Sequence, residues 1–282
     1  VPEQPELDAL ADFLRGSLVG DTIAEAHLGE ISALKSARRP LDSLLGQHVT
    51  AISRVGKFLD IAVGDGHLIV HFALMGWLRW YAEATRGPVR MGKGPLALRI
   101  ALESGAGFDL TEQGTKKSLA IHLVSRPDEV ERIAQLGTDV SEVNEDEFTR
   151  ILAGSPARIK TLLRDQSLIA GIGNRWSDEI LHTAKLSPFA TSARISDPRA
   201  LHAAMRTVLD RATAELSGLP PGKIKAAEKR LSAVHGKAGT PCPVCQATIA
   251  EVVFSDRSFQ YCPGCQTGGK RLNDRRLDRL LK

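Results

Sequence analysis

The chain opens Val1-Pro2-Glu3-Gln4-Pro5-Glu6, which sets a potential secondary amine beside two carboxylates. If Val1 is removed, Pro2 becomes the amino-terminal residue and its ring nitrogen is a free secondary amine. An α-amino group titrates roughly two to three units below lysine. More of it is therefore uncharged near neutral pH and able to attack a carbonyl carbon, giving a Schiff base. Glu3, one peptide bond away, is placed to move the proton. The same six residues also fit an N-terminal arm in which proline opens a helix. A second chemical signature is Cys242-Pro-Val-Cys245 with Cys262-Pro-Gly-Cys265, which uses all four cysteines and leaves sixteen residues between the pairs. This is a Cys₄ zinc spacing. Four thiolates leave no open position for water, so one structural zinc is expected, not a catalytic one.

A third stretch, Gln166-Ser-Leu-Ile-Ala-Gly-Ile-Gly-Asn174, has glycines that let backbone N–H groups approach a phosphate. Asn174 adds a side-chain donor, although a plain corner between two helices reads the same way. Lys57 precedes an apolar strand, and His71 lies inside another. Trp77, Trp80 and Trp176 read as packing residues.

These groups need a frame. Leu7, Leu10, Ala11, Leu14 and Leu18 recur at helical spacing, with Gly20 placed to stop the helix. From residue 22 to about 124 short β-type runs follow (49–53, 58–63, 68–72 and 96–102 among them), as in a β-sandwich or barrel. Residues 145–153, 157–163, 176–184 and 198–216 read as helices. Residues 249–254 and 258–261 read as a hairpin with Asp256-Arg257 at its tip. The expected class is α+β and multidomain: an N-terminal helix plus β-sandwich, a helical domain, and a zinc-finger β-hairpin. The expected boundaries are 1–128, 129–236 and 237–270, with a basic extension at 271–282.

The formal charge is +4, unevenly spread. From residue 221 onward twelve lysines and arginines face five acids, so this part carries +7 and the remainder −3. Such asymmetry suits a polyanion partner. No run of about 18 apolar residues is present to cross a membrane, and no signal peptide is evident at the start, so a cytoplasmic protein is expected.

Taken in order, these pieces resemble the formamidopyrimidine-DNA glycosylase/endonuclease VIII (Fpg/Nei) family over nearly the whole chain. Pro2 to Glu6 resembles the family's N-terminal Pro-Glu motif, and Lys57 its β-hairpin lysine. His71-Phe-Ala-Leu-Met-Gly76 is similar to the segment carrying a phosphate contact and a void-filling residue, here Leu74. Leu163 to Asn174 resembles the helix–two-turn–helix signature. His235-Gly-Lys237, Pro241-Cys242 and Asp256-Arg257 through Gln266 resemble its zinc finger.

The resemblance implies a glycosylase and AP lyase acting as a monomer on damaged double-stranded DNA, with no membrane partner. Pro2 would attack C1′ of a flipped-out nucleotide, and β- and δ-elimination would then cut the strand. Glu3 would be the general acid/base, with Glu6 supporting it. Lys57, binding phosphate near the lesion, and Arg257, holding the kinked backbone, would complete the catalytic set. His71, Leu74, Asn174, Lys160 and Arg257 would contact DNA, and Cys242, Cys245, Cys262 and Cys265 would hold zinc.

Two stretches depart from the family's pattern. Where Fpg proteins carry an Arg-Arg-Phe-Gly segment, this chain has Asp109-Leu-Thr-Glu-Gln-Gly-Thr-Lys-Lys117. Where they carry a Gly-rich loop over 8-oxoguanine, it has a Pro-Pro-Gly turn and residues 223–231, which read as a helix. Formamidopyrimidines, oxidised pyrimidines and abasic sites thus become comparable expectations to 8-oxoguanine. A lyase with little base excision, and a non-catalytic binder of damaged DNA, are the alternatives.

Overall fold

A computed structural model of the chain describes residues 1–92, 94–114, 116–253 and 258–272. The chain forms two compact units. One comprises Val1–Leu136 with Glu215–Ala227, the other Gly137–Ala214 with the chain from Glu228 onward.

The first unit begins with helix α1 (Gln4–Leu18), whose Leu7, Leu10, Ala11, Leu14 and Leu18 are all buried, as their spacing predicts. It ends before Gly20, which adopts φ of 92°, a left-handed conformation that only glycine takes without steric cost. The Gly20 N–H donates to the Val49 carbonyl at 2.9 Å, turning the chain into the sheet.

Among the described residues, nine strands follow: β1 (Ile23–Leu28), β2 (Leu34–Ala37), β3 (Val49–Val55), β4 (Phe58–Val63), β5 (Gly66–His71), β6 (Gly76–Tyr81), β7 (Leu96–Leu102), β8 (Gly107–Glu112) and β9 (Ala120–Val124). They make a four-stranded sheet ordered β1-β7-β8-β6 and a five-stranded sheet ordered β2-β9-β5-β4-β3. All neighbours are antiparallel except β2 and β9. β5 lies mid-sheet, and Leu68, Ile69 and Val70 are all fully buried. Both faces of this strand are covered, hence its unbroken apolar run in place of alternation. Helix α2 (Glu131–Ala134) closes one end, with Ile133 packed against Phe58, Ile69 and Val124.

The second unit contains β10 (Thr138–Asp139), α3 (Glu145–Ala153), α4 (Ile159–Leu163), β11 (Ile169–Ala170), α5 (Asn174–Thr183) and most of α6 (Pro198–Leu216). Phe148, Leu162, Trp176, Ile180, Met205 and Leu209 centre its core. Helix α7 (Pro221–Leu231) follows, then the hairpin β12 (Ala250–Val253) and β13 (Ser258–Tyr261), and α8 (Pro263–Thr267). The fold is therefore the expected α+β arrangement of β-sandwich, helical part and finger hairpin. α5 starts at Asn174, two residues before the expected restart at Trp176. The expected helix at residues 223–231 is present as α7.

Among the described residues, no helix is long and apolar enough to cross a membrane. The hairpin tip with Arg257, and most of the basic extension, lie outside the described residues.

Candidate active site

Pro2 is half-buried immediately before α1, while Glu3 and Glu6 are 4% and 1% exposed. The Glu6 side chain reaches back to accept the Glu3 N–H on Oε2 at 2.8 Å, and the Glu3 carboxylate accepts from the Glu6 N–H. This reciprocal capping box satisfies helix-end donors and fixes the angle at which Pro2 leaves α1. Further along, Asp8 accepts from Gln4 Nε2 at 2.5 Å and from Arg54 Nε at 2.6 Å, and Arg54 Nη1 donates to the Gly56 carbonyl at 3.0 Å. Gly56 and Lys57 form the two-residue turn between β3 and β4, with Gly56 at φ of 56°, as tight hairpins require. Asp8 and Arg54 thus tie the first turns of α1 to the turn that carries Lys57. Sequence reading missed this pair. The only signal was two charged residues on polar faces of elements that pack together.

His71 ends β5, its ring 4.9 Å from that of Phe58 and only 8% exposed. Burial pushes its pKa down to about 3, and the positive charges of Arg132, Lys57 and the chain's amino terminus push the same way. The amino terminus, Lys57 and His71 therefore share one locality. The turn after β5 puts Ala73 at φ of 51° and exposes Leu74 (73%) and Met75 (51%). Gly76 closes it, since a Cβ there would lie 2.1 Å from the Phe72 carbonyl oxygen.

In the second unit, Gln166 staples the glycine turn. Its Nε2 donates to the Arg164 and Ile172 carbonyls at 2.8 Å each, and its Oε1 accepts from the Gly171 N–H at 3.1 Å. Gly171 has φ of 114°. The turn delivers the N-terminus of α5, the helix end whose dipole favours anions. Asn174 Nδ2 donates at 2.7 Å to the carbonyl of Ser258, the first residue of β13, at the tip end of the hairpin.

Lys160, expected to contact DNA, is instead 4% exposed. Its Nζ lies 2.5 Å from Asp178 Oδ1, 2.9 Å from Ser177 Oγ and 3.1 Å from the Asn174 carbonyl. A buried ammonium persists only when paired and hydrogen-bonded, and here Asp178 supplies the pair. Lys160 holds the start of α5 from within and has no free face for a phosphate. Asp178 also accepts from His235 Nδ1 at 2.7 Å and from the Gln260 N–H at 3.3 Å. Next to it, Glu179 accepts the backbone N–H groups of Ala233, Val234 and His235 at 2.8–3.1 Å. Burial raises the Glu179 pKa, and those three donors oppose the rise.

Both departures have a structure of their own. After β8 the chain wraps around the buried Glu112 carboxylate, which accepts from Ser118 N–H, Ser118 Oγ and Leu119 N–H at 2.9–3.1 Å. Helix α7 is fixed at its start, because Trp77 Nε1 donates to the Pro221 carbonyl at 2.9 Å and Lys225 Nζ lies 5.0 Å from the Trp77 ring centroid.

The four thiols converge. Cys242 and Cys265 sulfurs are 3.9 Å apart and Cys245 and Cys262 sulfurs 3.3 Å. These are not disulfide distances, and the edge of a tetrahedron with Zn–S of 2.3 Å is about 3.8 Å. Backbone N–H groups of Val244 and Cys265 point at the sulfurs of Cys242 and Cys262. A Cβ on Gly264 would lie 2.9 Å from the Cys245 sulfur, so the turn leaves room for a ligand atom. Hydrogen bonds from the Ala247 backbone and the neighbouring thiols pull the Cys245 thiol down to about 7, whereas burial raises that of Cys265. The donor set fits one structural zinc, which would pin the hairpin base and supply no step of chemistry.

Three sequence families match in order. They are the formamidopyrimidine-DNA glycosylase N-terminal domain over residues 1–120, the formamidopyrimidine-DNA glycosylase H2TH domain over 136–219, and a zinc finger found in FPG and IleRS over 239–268. The formamidopyrimidine-DNA glycosylase of Solibacter usitatus is 30% identical over 280 residues, covering 94% of this chain and 99% of the relative. An uncharacterized formamidopyrimidine-DNA glycosylase-like protein of Mycobacterium tuberculosis is 51% identical over 149 residues, 52% of this chain and 94% of the relative. Among solved structures, Lactococcus lactis Fpg bound to DNA containing an oxidized pyrimidine is 25% identical with a TM-score of 0.81, covering 94% of this chain and all of that one. The same protein bound non-covalently to DNA containing an AP site is 25% identical with a TM-score of 0.79, covering 94% and 99%. With its β-sandwich, glycine-turn helix pair and four-cysteine finger matched in sequence order, the chain belongs to the formamidopyrimidine-DNA glycosylase family.

Proposed function

We propose that this chain is a bifunctional DNA glycosylase/AP lyase of base-excision repair that removes oxidised or ring-opened bases from duplex DNA. The observation that carries the reading is the shared locality of amino terminus, Lys57 and His71, beside the buried Glu3–Glu6 box. With Val1 gone, the Pro2 nitrogen attacks C1′ as the glycosidic bond breaks, and Glu3 passes the proton to the departing base or the sugar oxygen. Glu6 holds Glu3 in place. Lys57 engages a phosphate beside the lesion, and Leu74, on its exposed turn, fills the space the flipped base vacates. Asn174 and Arg257 hold the bent backbone, and zinc stays structural. Residues 1–128 carry the chemistry, with 129–236 and 237–270 gripping DNA. The protein works as a monomer in the cytoplasm. Family relatives bound to abasic-site and oxidized-pyrimidine DNA support this reading.

The test is a panel of duplexes carrying a formamidopyrimidine, 8-oxoguanine, an oxidised pyrimidine or an abasic site. Cleavage at a damaged base, leaving a one-nucleotide gap with phosphate at both ends, supports the proposal. Cleavage of the abasic duplex alone replaces it with a lyase. Tight binding without cleavage replaces it with a damage-binding paralogue.

A further inference from the structure

One side chain beside the finger belongs to neither the catalytic reading nor the four-cysteine set. His182 lies near the end of α5, the helix whose start carries Asn174, and is 6% exposed. Its Nε2 is 3.3 Å from the sulfur of Cys242, which is itself fully buried. The His182 donor atom and the sulfurs of Cys242, Cys262 and Cys265 all lie within 4.8 Å of one another.

Four thiolates around a divalent ion leave the centre with a net charge of about −2. Burying that charge is costly unless donors spread it. Among the described residues, the backbone N–H groups of Val244 and Cys265 approach sulfurs at 3.5 and 3.4 Å, and His182 approaches more closely than either. A zinc-bound thiolate has no proton to give, so the imidazole must be the donor, in the tautomer with hydrogen on Nε2. We propose that His182 is an outer partner of the zinc centre, donating Nε2–H to the Cys242 thiolate. It thereby couples the metal to the helix that presents Asn174. The coupling has a mechanical basis: Gln266 accepts the Cys262 N–H at 2.8 Å and donates to the Leu186 carbonyl, just past α5, at 2.9 Å. Metal, α8 and the end of α5 thus form one assembly. The inference rests on zinc occupying the four cysteines, not on the catalytic reading.

The experiment uses the full-length zinc-loaded protein, a colorimetric chelator to time zinc release, and cobalt substitution to read the ligand set. His182→Phe removes the donor and keeps an aromatic ring, whereas His182→Gln keeps an N–H. Loss of an outer partner costs about 10–100-fold in metal affinity. His182→Phe is therefore expected to release zinc about tenfold faster or more, with the sulfur-to-cobalt charge-transfer band moved to lower energy. His182→Gln is expected to stay within about threefold of the parent. Parent cobalt protein should show four sulfur ligands. Parent-like release and an unmoved band in His182→Phe would overturn the proposal. So would equally fast release from both variants with an unmoved band, which marks packing alone, or a three-sulfur, one-nitrogen spectrum in the parent, which marks His182 as a ligand.

Discussion

Replacing Lys160 with methionine separates two roles that the same residue could have. If Lys160 is the internal partner of Asp178, the variant leaves a carboxylate that is 1% exposed without its ammonium. Breaking a buried ion pair by removing one member costs about 3–5 kcal/mol. His235 Nδ1 and the Gln260 N–H still donate to the other Asp178 oxygen, which puts the cost near the lower end, about 3 kcal/mol. At roughly 2–4 °C per kcal/mol for a unit of this size, the midpoint should fall by about 6–12 °C. The double variant Lys160→Met/Asp178→Leu should recover a large part of this, because no uncompensated charge remains. DNA binding by the folded variant should keep the parent's salt dependence. A lysine that neutralises a phosphate would instead lower the slope of log K against log salt by about 0.9. Thermal unfolding and a salt titration of binding to an abasic-site duplex answer the question together. A midpoint within 1 °C of the parent, with a slope reduced by about one, would refute the assignment.

Other outcomes follow from the same geometry. Asp8→Asn removes the carboxylate charge that faces the enclosed Arg54 at 2.6 Å, a loss of about 2 kcal/mol. The double-mutant cycle with Arg54→Met should return a coupling of similar size, measured by denaturant unfolding. His71 has a pKa depressed by burial to about 3. The folded state thus refuses a proton that the unfolded state takes below about 6.5, and stability is lost as pH falls from there toward 3. His71→Gln should flatten the fall in melting midpoint between pH 7.5 and 5, where a fully expressed shift amounts to roughly 2 kcal/mol. Trp77→Phe removes the donor to the Pro221 carbonyl and should speed amide exchange in the first turns of α7, at a cost of about 1 kcal/mol. Stripping the metal with a chelator should release one zinc per chain and abolish DNA binding, as read by metal analysis and gel shift.

What could be read from residue order was local. The buried stripe of α1, the strands at 49–53, 58–63 and 96–102 and the finger hairpin announce themselves through periodicity, turn glycines and cysteine spacing. The α7 helix was legible because residues 223–231 contain no glycine or proline to break it. Long-range pairing was not legible. Nothing in the sequence indicates that β2 runs parallel to β9, because both are short and they lie far apart along the chain. Lys160 misled for a related reason. It lies just before a signature that resembles a DNA-binding element, while Asp178, which neutralises it, is eighteen residues away on the next long helix. His71 was rightly placed in an apolar strand, but its enclosure against Phe58 and its neutrality depend on neighbours that sequence spacing does not reveal. His182 escaped notice because one histidine in an amphipathic helix is unremarkable until the finger folds against it.

The central claim is a covalent one, that the amine of Pro2 forms a Schiff base with the sugar. The most direct measurement is borohydride reduction of the protein mixed with abasic-site duplex DNA, after mass spectrometry has established that Pro2 is the first residue. The expected result is a protein–DNA adduct whose attachment maps to Pro2, and its loss both in Pro2→Gly and when an extra residue blocks the amine. Absence of any adduct on DNA that the protein demonstrably binds, with Pro2 free, would contradict it.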